Sequence, residues 1–87
     1  MTTDDIDEIL ARLGALVIEL NPAATLGEPS EMASLNMTEG VGLDSLDVIN
    51  LLLRVEEEYG VEVPDEDIDA HELLVFRKLA AYVAERK

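Results

Sequence analysis

Ile6, Ile9, Leu10, Leu13, Leu16, Val17 and Leu20 recur at intervals of three and four residues, the spacing that gathers side chains on one face of an α-helix. The pattern predicts a first helix from about Asp4 to Leu20, capped by Thr2 or Thr3. Asn21-Pro22 ends it, because proline has no N–H for the ladder and turns the preceding residue away from helical geometry. From Pro22 to Leu43 the periodicity is lost; Leu26, Met32, Leu35, Met37 and Val41 are scattered among Gly, Pro, Ser, Thr and Asn. That segment reads as a long connection pinned to the core by isolated apolar residues, with room for one short helical turn, and connections this long are often functional. Periodicity returns with Val48, Leu51, Leu52, Val55 and Tyr59, a second helix from about Ser45 to Tyr59 that Gly60 closes in the left-handed position.

Val61-Glu62-Val63 is too short and isolated to build a sheet. Pro64 and the acids Asp65-Glu66-Asp67 suit the first turn of a short third helix reaching about Leu73. Phe76, Leu79, Ala80, Tyr82 and Val83 mark a fourth, from Val75 to Arg86, with basic Arg86-Lys87 at its negative dipole end. The expected fold is all-α: a small four-helix bundle in one domain, residues 1–87, with a long loop between helices one and two and a short third helix.

Composition narrows what such a bundle can do. Eighty-seven residues enclose a deep, water-excluded cleft with difficulty, which speaks against an enzyme. With no Cys there is no disulfide, thiolate nucleophile or zinc knuckle, and the core rests on aliphatic packing. Twenty acids against six bases give a formal charge of −14, which repels nucleic acid and anionic membranes and favours basic protein partners. No apolar run approaches a membrane span and the first residues are acidic where a secretory signal would be basic, so a cytoplasmic location is expected. Asp65-Glu66-Asp67-Ile68-Asp69 opens like a calcium loop but fails at Ala70, where Gly is needed, and at Phe76, where a bidentate Glu is needed. His71 has no partner at metal spacing, so no metal site is expected.

The start of the second helix, Gly42-Leu43-Asp44-Ser45-Leu46-Asp47, carries one hydroxyl more than a cap requires. With Asp44 as N-cap, its carboxylate accepts from the N–H of Asp47, Leu43 staples onto Val48, and Ser45 is left free at the first helical position. Leu46, Ile49 and Leu53 form a second apolar stripe beside the core face. Packed under the long loop, they would be ordinary core. Flanked by Asp44, Asp47, Glu56 and Glu57, they would instead make a partner-docking strip with Ser45 at its head.

The run GLDSLDVINLLLRVEEEYGVEVPDEDI resembles the central helix of acyl carrier proteins in its Asp-Ser-Leu signature, its Glu-Glu-Glu followed by an aromatic, and its Val-Pro-Asp turn. The likeness is close from Met37 to Ile68 and continues weakly to Tyr82-Val83. It implies that Ser45 receives a covalent phosphopantetheine arm from coenzyme A through a phosphopantetheinyl transferase, and that the arm's thiol holds acyl groups as thioesters. It further implies a monomer whose Asp44, Asp47, Glu56 and Glu57, with Leu46, Ile49 and Leu53, meet basic patches on that transferase and on acyl-loading and synthase enzymes. In some members the acyl chain slips between the helices, and Val48, Leu52, Leu73 and Phe76 would line that path here. No His, Lys or Arg within the motif could activate Ser45, so the resemblance makes the chain a carrier and no catalyst.

The chain departs from the family pattern at several points. Asn50 stands where many fatty-acid carriers have Glu, Arg54 where a small residue is common, and Gly40 where an acid is frequent. The first loop is longer, and helix four lacks the usual Ser or Thr at its start. Arg54 in the middle of the acidic face would weaken or re-aim docking. These departures favour polyketide or related specialised biosynthesis over fatty-acid synthesis. Two alternatives stand beside it: a peptidyl or aryl carrier, though those more often show Gly-Gly-His-Ser or Gly-Gly-Asp-Ser, and an arm-free acidic interaction module of the same fold.

Overall fold

The computed structural model describes the backbone of residues 3–24 and 29–87 and the side chains of residues 5–24 and 31–87. Its helices are α1 (Thr3–Leu20), α2 (Pro29–Met32), α3 (Ser45–Tyr59), α4 (Asp65–Ala70) and α5 (Phe76–Arg86). The expected four-helix bundle is therefore formed by α1, α3, α4 and α5, and α2 is the single helical turn inside the long connection. The candidate cap Thr2 and the side chain of Thr3 lie outside the described residues, as does Leu26.

Each apolar stripe buries itself against the others. Ile9, Leu10, Leu13, Leu16 and Val17 of α1 meet Val48, Leu51, Leu52 and Val55 of α3 and Phe76, Leu79, Ala80 and Val83 of α5 in one core. Met32, Met37 and Leu43 pin the long connection to that core, and Val61 and Val63 do the same after α3 without forming a strand. Gly60 ends α3 at φ 67°, the left-handed conformation expected of it.

Two helix boundaries differ from the sequence reading. The third helix stops at Ala70, three residues short of Leu73, although no glycine marks the end. Glu72 takes the left-handed position instead, at φ 52°. The Leu73 N–H donates to the Ile68 carbonyl at 2.9 Å, which closes the helix and turns Leu73 into the core at 1% exposure. Burying Leu73 repays the modest strain of a non-glycine residue there, about 1–2 kcal/mol. The fourth helix begins at Phe76, not Val75, and Val75 offers no side-chain cap. Carbonyls of the long connection replace it: the N–H groups of Phe76 and Arg77 donate to Leu35 and Ala33 at 3.2 and 2.9 Å. The missing Ser or Thr is thus supplied by tertiary contact.

The approach to α3 is knotted around Asn36. Its side-chain Oδ1 accepts from the Thr38 N–H, the Thr38 hydroxyl and the Glu39 N–H, at 2.9, 2.8 and 3.2 Å. Its carbonyl accepts from Gly40 and Val41, and Met37 N–H donates to Leu74 across an isolated bridge at Asn36 and Val75. A Cβ on Gly40 would lie 2.9 Å from the Asn36 carbonyl oxygen, so only glycine fits this turn without a shift. Asn36→Ala is expected to lower unfolding free energy by about 1–2 kcal/mol, read by urea denaturation, because one acceptor serves three donors.

Candidate functional site

Asp44 caps α3 as expected: its backbone is extended at φ −84° and ψ 177°, and its Oδ1 accepts from the Asp47 N–H at 2.8 Å. Val48 N–H donates to the Asp44 carbonyl at 3.0 Å and starts the helical ladder. Leu43 and Val48 are both buried in the core and anchor the entry to the helix. Ser45 follows as the first helical residue, exposed, with no hydrogen bond to its hydroxyl among the described residues. The N–H groups of Ser45 and Leu46 likewise meet no acceptor among the described residues, so the first turn presents free donors beside that hydroxyl. This fits a phosphodiester on Ser45: solvent takes most of its charge, and the helix start offsets part of the rest.

The second stripe does not pack under the long loop. Leu46, Ile49 and Leu53 are 64%, 54% and 50% exposed, side by side on a helix whose opposite face is fully buried. At 100° per residue, Leu46, Leu53 and Glu57 share the outward line of α3. Ser45, Ile49, Leu52 and Glu56 share the line next to it, and Asp47, Arg54 and Glu58 lie on the other flank, towards α1.

The acids predicted to flank the strip therefore have different surroundings. Asp44 and Glu57 are exposed, Asp47 is half-buried, and Glu56 is half-buried with its Oε2 accepting from the Val63 N–H at 2.8 Å. Glu56 thus clips the Val61–Val63 segment to α3, a role its sequence neighbours do not signal because the donor lies seven residues on. Arg54 corrects the sequence reading. It does not stand in the middle of the acidic face; its Nη2 pairs with Glu19 Oε2 of α1 at 2.6 Å. Its charge is matched on the flank, and the outward line keeps its acidic character.

Arg12 and Glu58 make a second link between α1 and α3, at 2.5 Å; with Arg54–Glu19 it joins the earlier α1 residue to the later α3 residue and the later to the earlier, as antiparallel helices require. The hydrogen bond from Arg12 holds the Glu58 carboxyl below the ordinary glutamate range. A carboxyl depressed in the folded state adds stability above its unfolded pKa, about 4.3, and loses it as pH falls through the folded value. The melting-temperature gap between wild type and Glu58→Gln is accordingly expected to close between neutral pH and about pH 3, read by circular dichroism.

Between α3 and α4 lies a cleft of about 140 Å³, lined by Val48, Ile49, Leu52, Leu53 and Glu56 on one side and Val63, Asp65 and Ile68 on the other. Val48 and Leu52 line it as the resemblance implied. Leu73 and Phe76 do not; both are sealed in the core, 1% and 0% exposed. His71 sits at the surface beside the Tyr82 ring, centroids 5.8 Å apart. No helix among the described residues is long and apolar enough to cross a membrane.

A capped helix start, a free serine hydroxyl and an exposed apolar strip amid carboxylates make up a surface for attachment and docking. Comparison with known proteins agrees. Residues 22–83 match the family model for the phosphopantetheine attachment site. An acyl carrier protein of Rhodococcus erythropolis (strain PR4 / NBRC 100887) is 36% identical over 63 residues, covering 71% of this chain and 65% of that protein. No solved structure matches. The chain belongs to the phosphopantetheine-attachment family, a family of carrier domains with a covalently attached phosphopantetheine, and it spans about 65% of the length of the curated relative it matches.

Proposed function

We propose that Ser45 carries the phosphopantetheine and that the domain delivers acyl groups between enzymes of a polyketide, fatty-acid-like or related specialised pathway. The observation that carries this is the pairing of a capped helix start with an uncommitted, exposed Ser45 hydroxyl at the head of α3. When bound, phosphopantetheine supplies a thiol on a long flexible arm, which holds acyl groups as thioesters. The chain itself contributes the hydroxyl, a helix start tolerant of phosphate, and a recognition face. The bases near that hydroxyl are absent from the motif, so the proton of Ser45 is removed by the modifying enzyme.

Leu46, Ile49 and Leu53 give the apolar contacts for partners, and Asp44, Asp47 and Glu57 the charges that steer basic patches on the phosphopantetheinyl transferase, loading enzymes and synthases. Glu56 belongs to the same rim through its second carboxylate oxygen, while the first holds Val63. We read the domain, residues 1–87, as a monomer working in the cytoplasm. Incubation with coenzyme A and a broad-specificity transferase, followed by intact mass, tests the assignment. One added arm supports it, and an unmodified wild type favours the arm-free interaction module. Loading by an amino-acid-activating enzyme in place of an acyl-loading one would favour the peptidyl or aryl carrier.

A further inference from the structure

Glu19 stands in the last turn of α1, at the negative end of that helix's dipole, where an acid is locally unfavourable. Its carboxylate is matched across the bundle by Arg54 of α3, at 2.6 Å. Both side chains stay about half exposed, 46% for Arg54 and 52% for Glu19, and exposed ion pairs add little to stability. The consequence of this pair lies in the charge it removes from the open face of α3. Without Glu19, the acids that face Arg54 on its own helix are Glu57 and Glu58, three and four residues on. Glu58 is already bound to Arg12 of α1. Glu57 is exposed and makes no ion pair among the described residues, so it is the acid that a released Arg54 would neutralise. The charges of the two pairs lie close enough to act on one another. The Glu58 carboxyl, held low first by the hydrogen bond from Arg12, is lowered further by the Arg54 charge.

We propose that Glu19 is a positioning residue for docking: by holding Arg54 on the α1 flank it keeps Glu57 unneutralised, so that a basic patch on the phosphopantetheinyl transferase meets an uninterrupted acidic rim beside Leu46, Ile49 and Leu53. The proposal deepens the docking reading of α3 and rests on it. Arg12 complements Glu19, because it occupies Glu58 and leaves Arg54 a single partner on α1. A released Arg54 would either cancel Glu57 or meet the partner's bases with like charge, and both weaken the attraction. Helix α1, which contributes nothing to the apolar strip, thus sets the charge pattern that the strip's partners meet.

Glu19→Gln is expected to lower kcat/KM for arm transfer from coenzyme A about threefold at low salt, because cancelling the Glu57 charge is half the change made by Glu57→Lys, for which about tenfold is expected. The deficit should fade as ionic strength rises. Glu19→Gln also removes an acid in its own right, and a second variant separates the two causes. Arg54→Gln is expected to accept the arm at or above the wild-type rate, and in that background Glu19→Gln should cause no further loss. An equal loss with and without Arg54, or no loss in Glu19→Gln while Glu57→Lys is slowed, overturns the proposal. No loss in either Glu19→Gln or Glu57→Lys overturns the docking reading with it. The pairing itself is read in the arm-free protein by nuclear Overhauser contacts: Arg54 Hδ is expected to contact Glu19 Hγ in the wild type and Glu57 Hγ in Glu19→Gln. Absence of the Glu57 contact in Glu19→Gln overturns the change of partner even where the rate falls. A wild type that accepts no arm overturns the carrier reading of Ser45 and the docking role together, and the Overhauser contacts then decide the pairing alone.

Discussion

Ser45→Ala is expected to keep its unmodified mass after incubation with coenzyme A and a broad-specificity transferase, while the wild type gains one phosphopantetheine. The variant isolates the hydroxyl because that hydroxyl has no structural work among the described residues. Asp44 closes the cap on the Asp47 N–H at 2.8 Å, and the core anchors on either side are Leu43 and Val48. Alanine is at home in the first helical turn, so the melting temperature should be nearly unchanged and stability should move by no more than about 0.5 kcal/mol. An arm that still appears on Ser45→Ala would move the attachment to another residue. A large fall in stability would mean that the serine holds the helix start together, and the reading of a free hydroxyl would fail with it.

Glu57→Lys is expected to lower kcat/KM for arm transfer about tenfold at low salt, chiefly through slower encounter, with the deficit shrinking as ionic strength rises. Glu57 is exposed on the outward line of α3 between the apolar strip and solvent, and it makes no ion pair among the described residues. Reversal therefore changes the local field by two charges without breaking a contact. Asp47→Lys should act in the same direction with an added cost of a few tenths of a kcal/mol, since it puts a cation at the positive end of the helix. Glu56→Lys is a poor probe, because it also frees the Val63 N–H. Transfer rates that are the same for Glu57→Lys, Asp47→Lys and wild type, with circular dichroism confirming folded protein, would remove the electrostatic account.

The bundle was legible in the sequence because the information is local and repeated. Seven apolar residues at three- and four-residue spacing locate α1, and the same rule locates α3 and α5. Asn21-Pro22 and Gly60 stop their helices by backbone chemistry that needs no neighbour. The Asp44 cap is equally local, three residues from the N–H it receives. The end of α4 was misplaced for the converse reason. Glu72 has no intrinsic preference for a positive φ, and only the burial of Leu73 makes that conformation worthwhile. The start of α5 was misplaced by one residue because its cap comes from Leu35 and Ala33, some forty residues earlier in the chain.

The site divides along the same line. That Ser45 follows a self-sufficient cap, and that Leu46, Ile49 and Leu53 share a stripe, are statements about sequence spacing. Periodicity alone could not say whether that stripe faced the loop or solvent. Exposure of 50–64% decides it, because the other side of α3 packs against α1 and the long connection is tied elsewhere by Asn36. The same holds for charge. Twenty acids predict an acidic surface, but which of them are free depends on partners brought from afar. Arg54 is matched by Glu19, Glu58 by Arg12, Asp67 by Tyr82 and Glu56 by the Val63 N–H.

The sequence by itself determined the apolar stripes of α1, α3 and α5, the Asp44 cap and the surplus hydroxyl at Ser45, since each depends on backbone propensity and contacts within one or two helical turns. Only the tertiary structure decided which face of α3 is open, which acids remain available to a partner, and that Asp67 of α4 is taken up by the Tyr82 hydroxyl of α5. Those features depend on packing between helices distant in the chain, where burial and pairing energies outweigh local preference.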